Sequence, residues 1–170
     1  NLMTGADTTR SIEDSLVQIV SKLHTIYLET TADAWNWLTP PARSSDKKVD
    51  DAVATLTEST WPDGKRWDSS REQAIEIVAA RNWQRLVEVG LGKKIVGEDL
   101  TFYGKEIPAE VVDAFGPALD LLRADTANDL AEQTAATFEI LEMFDDQYSE
   151  LKQQQRCVEF GDITRVLADA

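Results

Sequence analysis

The chain has 170 residues, 42% of them hydrophobic and 28% charged, and a net charge of −14. That length and apolar share suit one globular domain and exclude wholesale disorder, and no stretch approaches the roughly 20 apolar residues of a membrane span. A lone cysteine, Cys157, and a lone histidine, His24, exclude a disulfide framework, a cysteine-held zinc and a histidine-rich metal site. Residues 1–10 are polar and hold no signal-peptide core, so a reducing cytoplasmic setting is expected.

The first predicted element is an amphipathic helix. Ile12, Leu16, Ile19, Val20, Leu23, Ile26 and Tyr27 recur at three- and four-residue steps, with Thr9 or Ser11 as its cap. His24 lies on this helix, where a partly buried packing role is expected. Trp35, Trp37 and Leu38 precede Pro40 and Pro41, which end the pattern and open a loop over 40–48.

A shorter helix is predicted over 46–58, with Val49, Val53 and Leu56 inward. Pro62 and Gly64 mark a turn held by Trp61 and Trp67. Ser70 and Gln73 have the spacing of a capping box, so the next helix is expected to begin there and to carry Ile75, Val78, Ala79, Asn82, Leu86 and Val89. Gly90 and Gly92 should stop it. Two β-prone runs within 93–107 suggest a small hairpin packed on the helices.

Pro108 suits a helix start, and Gly116-Pro117 predicts a kink or break. From 118 to 155 one long helix is expected, its stripe marked by Leu119, Leu122, Leu130, Phe138, Leu141, Phe144, Tyr148 and Leu151. A last helix over 163–167 is cut off in mid-pattern at Ala170, and residue 1 is not methionine, so the chain reads as a piece of something longer. The fold class is therefore all-α: a multi-helix bundle with one long C-terminal helix and a small hairpin.

Chemistry is scarce. Gly90-Leu91-Gly92-Lys93-Lys94 lacks both the spacing and the hydroxyl of a phosphate loop, and no G-x-S-x-G elbow exists. Glu139, Glu142, Asp145 and Asp146 crowd one stretch of helix, but no Glu-x-x-His pair accompanies them, so a solvated face is expected. Cys157 and His24 are too far apart in sequence to be read as a catalytic pair. No cofactor is expected in this chain.

The charge is uneven. Residues 1–61 hold 5 basic against 9 acidic residues, residues 62–105 hold 8 against 7, and residues 106–170 hold 4 against 15. An acidic surface repels phosphates, so any nucleic-acid contact should be local and should fall in the middle third. Two aromatic side chains there stand beside basic ones: Trp67 follows Lys65 and Arg66, and Trp83 lies between Arg81 and Arg85. Such pairs can stack on bases, though core packing is the expected role of most of the tryptophans.

The run FDDQYSELKQQQRCVEFGDI over 144–163 resembles the stretch of UvrD/RecB-type superfamily 1 DNA helicases in which a Tyr…Lys helix runs into a Leu-Asp-Phe-Asp-Asp-Leu element. Here residues 158–163 stand at its six positions, ten to fifteen residues after Tyr148, with Phe160 and Asp162 matching, Gly161 replacing an aspartate, and conservative swaps at Val158, Glu159 and Ile163. The segment EDLTFYGKEIP over 98–108 is similar to the inserted helical 1B subdomain of AddA-like and RecB-like helicase-nucleases. The resemblance touches roughly 80–170.

It implies that residues 1–156 form such an inserted subdomain and that 157–170 re-enter a truncated RecA-like motor lobe. It also implies a parent that couples ATP, with magnesium, to DNA unwinding in repair or recombination. The implied partners are DNA, bound weakly by this piece alone, the remaining motor lobes and a further subunit, with no membrane. The charge partition then assigns the DNA contacts to Lys65, Arg66, Arg81, Arg85, Lys93, Lys94 and Lys105. Other readings are an acidic helical module that docks on a protein partner, and an acidic DNA mimic.

Overall fold

The computed structural model describes residues 4–158 together with 163 and 167, and side chains from residue 14 onward. Phe160 and Asp162 of the family element, and most of the expected last helix and re-entry segment, lie outside the described residues. Among the described residues are seven helices and one two-stranded antiparallel sheet. The chain divides into two compact units, one of residues 40–130 and the other of the stretches before 40 and after 130. No described helix is long and apolar enough to cross a membrane.

In the central unit, Ser45 opens α3 (Asp46–Glu58): its hydroxyl accepts from the Lys48 amide, satisfying a donor that the first helical turn leaves unpaired. Val49, Ala52 and Leu56 are its buried face. The following helix, α4 (Lys65–Ala79), starts five residues earlier than the capping-box spacing of Ser70 and Gln73 predicts. Its first turn carries Trp67, which packs 4.9 Å from Phe102 and 6.4 Å from Trp61. Burial of that indole outweighs the local signal.

Gly90 and Gly92 do not simply stop a helix. Asn82 caps α5 (Trp83–Glu88), and α6 (Gly90–Val96) follows at once. Gly92 is buried at the corner, where a Cβ would stand 2.2 Å from the Leu86 carbonyl oxygen, so only glycine lets the two short helices meet. Lys93 and Lys94, expected at the edge of a strand, are therefore helical, because Leu91 and Ile95 one turn apart are buried beneath them.

The hairpin is shorter than the expected 93–107. It pairs β1 (Thr101–Phe102) with β2 (Lys105–Glu106), with Thr101 opposite Glu106 and Phe102 opposite Lys105.

The long helix α7 (Ala109–Gln155) begins before Gly116-Pro117 and runs through it without a break. Pro117 is exposed, while Val111, Ala114, Phe115, Ala118 and Leu121 form a buried stripe on either side of it. Burying a large apolar side chain contributes about 1.5–3 kcal/mol, and Phe115 is fully buried. The stripe holds the helix where the proline withholds one hydrogen bond. These residues join α3, α4, α5 and α6 in one apolar core, with Trp61, Trp67, Trp83 and Phe102 packed around it.

The other unit contains α1 (Thr4–Glu29), which starts before the expected caps, and α2 (Ala32–Trp35), capped by Thr31. Of the predicted apolar face of α1, Val20, Leu23 and Tyr27 are half-buried, whereas Leu16, Ile19 and Ile26 are exposed. His24 is half-buried and bonds Asp145 of α7 at 2.8 Å, among Tyr27, Phe144 and Tyr148. Tyr148 also stacks on Phe144 and carries the Lys152 ammonium 4.7 Å from its ring centre.

Candidate nucleic-acid interface

The seven basic residues singled out by charge fall into two groups. Arg81 and Arg85 are engaged with acidic side chains. Arg81 adopts φ 51° just after α4 and reaches Asp46 of α3 at 2.6 Å, and Arg85 of α5 approaches Glu76 of α4 at 3.8 Å. Trp83, between them, is half-buried, and its Nε1 donates to Asp125 Oδ2 at 2.8 Å. This trio stitches helices together, so its fit to a stacking platform is poor.

The other five gather around the hairpin. Lys65 and Arg66 open α4, Lys93 and Lys94 lie on α6, and Lys105 lies on β2. Phe102 and Tyr103 line two adjoining depressions. The larger, about 640 Å³, is shared with Lys93, Lys94, Gly90, Gly97 and Asp99. The smaller, about 320 Å³, is shared with Lys65, Arg66, Lys105, Trp67, Asp63 and Gly64. The two aromatic residues thus form the ridge between two basic hollows.

The electrostatics of this surface are mixed. Lys94 pairs closely with Asp99, and that contact, set against partial desolvation, holds the Asp99 carboxyl below its ordinary range. Among the described residues no ion pair involves Lys65, Arg66, Lys93 or Lys105. Arg66 instead places its guanidinium carbon 4.2 Å from the Tyr103 ring centre, a cation–π contact. Tyr103 is 66% exposed and touches Phe102 edge-on with ring centres 4.5 Å apart.

Charge counting finds the lysines but misses Tyr103. The available signal is its place directly before Gly104 in a hairpin connection, with Lys105 next. The carboxylates of α7 supply no rival centre: Glu139, Glu142 and Asp146 are exposed, and Asp145 is occupied by His24. Among the described residues no group of three or more His, Cys, Asp or Glu is placed to hold a metal ion. Cys157 is exposed and unbridged.

No protein-family model, curated protein or solved structure matches this chain.

Proposed function

We propose that the chain is a DNA-contacting helical subdomain, 1B-like, of an ATP-dependent DNA helicase or exonuclease of the UvrD/RecB type. The observation that carries the reading is the convergence of Lys65, Arg66, Lys93, Lys94 and Lys105 on the Phe102-Tyr103 ridge. That ridge lies inside the 98–108 segment whose sequence resembles the family, and the residue pattern over 144–163 supports the same parent. ATP and magnesium belong to the motor lobes of that parent, and the basic residues of this piece act by phosphate attraction. Each lysine that neutralises a phosphate releases a condensed counterion, so affinity depends on salt. The strong negative charge elsewhere confines contact to this surface.

Fluorescence anisotropy with labelled duplex DNA at low salt tests the contact face. Replacing Lys65, Lys93 and Lys105 by glutamine is expected to weaken binding and to lower the slope of log affinity against log salt by about 3. Arg85→Gln, which removes a cation already engaged by Glu76, should leave the slope unchanged. A triple variant that binds like the original sinks the contact face. The parent is tested separately by the reading frame around this segment, which should encode G-x-x-x-x-G-K-[ST] upstream and an Asp-Glu motif downstream.

A second reading, an acidic helical module that docks on another protein, draws on exposed Ile140 and Met143 of α7, flanked by Glu139 and Glu142. A short self-contained reading frame would favour it.

A further inference from the structure

The connection between β1 and β2 has two central residues, Tyr103 at φ 48° and Gly104 at φ 77°. A two-residue hairpin loop with both central residues at positive φ has the backbone of a primed turn, whose twist matches that of the strands. Asn, Asp or Gly is the ordinary choice at its first position, and a bulky aromatic is disfavoured there. Gly104 fits this pattern and Tyr103 departs from it.

Core packing does not account for the departure. Phe102 is the hairpin's buried anchor, set against Trp67, while Tyr103 remains largely exposed beyond it. Its contacts are Phe102 and the Arg66 guanidinium, itself on an exposed side chain. A strained position that displays an aromatic ring, at the junction of two basic hollows, suits a ligand with a flat face and negative charge on either side of it.

Resting on the DNA-contact reading, we infer that Tyr103 is a stacking platform for an unpaired nucleobase, with Lys93 and Lys105 holding the phosphates that flank it. Two features select a single strand over duplex. Bases inside a duplex are stacked on one another, so no face is open to a protein ring unless the base is extruded. With Lys94 tied to Asp99, the surface also offers four cations outside ion pairs among the described residues, Lys65, Arg66, Lys93 and Lys105. Strong non-specific duplex binders make about 6–10 phosphate contacts. Stacking has to supply part of the affinity, and aromatic platforms do this for single strands without regard to sequence. The larger hollow has room for a nucleotide beside the ring.

The test compares a short oligothymidine with an abasic oligomer of the same length, both titrated into the 170-residue chain at low salt. The original chain should bind the base-bearing strand more tightly. Tyr103→Asn, which suits the turn, should lose about tenfold on that strand and little on the abasic one, and Tyr103→Phe should keep the difference. Circular dichroism checks that each variant is folded. Equal binding of the two oligomers, or a Tyr103→Asn variant that binds oligothymidine like the original, overturns the stacking site.

The two readings fail in distinguishable ways. Lysine-dependent duplex binding that is indifferent to Tyr103 overturns stacking and leaves the contact face intact. Absence of binding to any nucleic acid overturns both. Tyr103-dependent binding in a chain whose flanking frame lacks motor motifs supports stacking and removes the helicase parent.

Discussion

Replacing Asp125 by alanine should destabilise the central unit by about 2–5 kcal/mol at neutral pH. Asp125 sits on α7, where one carboxylate oxygen accepts the Ser44 backbone N–H at 3.2 Å and the other accepts Trp83 Nε1 at 2.8 Å. One turn on, Asn128 donates to the Pro41 carbonyl at 2.9 Å. The long helix thus holds both the loop that leads into α3 and the start of α5. Alanine would strand two donors, each costing about 1–3 kcal/mol when it has no partner. Domains of this kind are stable by only about 5–15 kcal/mol, so the loss is large. Asp125→Asn keeps one acceptor and should lose about half as much.

The same carboxylate predicts a pH dependence with a definite sign. Burial raises the Asp125 pKa, but hydrogen bonds from Ser44 and Trp83, with the charge of Arg81, outweigh it and hold the carboxyl below its ordinary 3.8. A group whose pKa is depressed by folding stabilises the fold when ionised. That contribution is complete above the unfolded value and is lost as pH falls through the folded one. Urea unfolding followed by circular dichroism, at neutral pH and at successively lower pH, reads both effects. The midpoint should fall by roughly 1–2 M in Asp125→Ala at neutral pH, and the gap should close in acid. A gap under about 0.5 kcal/mol, or one that pH does not change, refutes the reasoning. So would a double-mutant cycle with Trp83→Phe that finds no coupling.

Two further outcomes follow from local geometry. Gly92→Ala should cost about 1–3 kcal/mol, because the new methyl collides with the Leu86 carbonyl at 2.2 Å, and denaturant midpoints check the sign. Tyr27 should titrate above the ordinary phenol value of 10.0, since burial, reinforced by Asp145, Glu142 and Asp146, disfavours the phenolate. Its folded pKa being the higher one, this group's stabilisation is whole below 10.0 and is lost as pH rises through the folded value, which difference tyrosinate spectra of the chain and Tyr27→Phe measure.

What the sequence disclosed about the fold tracks how local each signal is. The bounds of α3 are legible because Ser45 caps it, Pro40 and Pro41 isolate it, and Val49 and Leu56 mark one face within two turns. The start of α4 is not, because Trp67 is drawn into helix by Phe102, 35 residues further on, against a local capping spacing at Ser70. In α6, Lys-Lys-Ile-Val reads as strand until Leu91 and Ile95 are seen to be buried together. The Gly116-Pro117 signal for a break is real chemistry, overruled by the buried stripe from Val111 to Leu121. For the proposed site, charge partition singles out Lys65, Arg66, Lys93, Lys94 and Lys105, which the fold gathers around Phe102 and Tyr103. It could not reveal that Arg81 and Arg85 are engaged by Asp46 and Glu76, since such pairings depend on how α3, α4 and α5 pack.

Tyr103 belongs to a different class of difficulty. Within the hairpin its neighbours obey local rules: Phe102 anchors, Gly104 accepts positive φ, and Lys105 pairs opposite Phe102. Holding a tyrosine in the left-handed region costs about 1–2 kcal/mol, and the ring returns little of it by burial. The Arg66 contact returns only about 0.5–1 kcal/mol at an exposed site. A hairpin selected for stability alone would carry asparagine there. Local strain that stability does not explain is a reason to look for a role, and the surrounding cations make a ligand both flat and anionic the one the proposal names. On that argument the nucleobase reading is stronger than a general phosphate patch, because lysines alone would account for phosphate and leave the strained ring without a purpose.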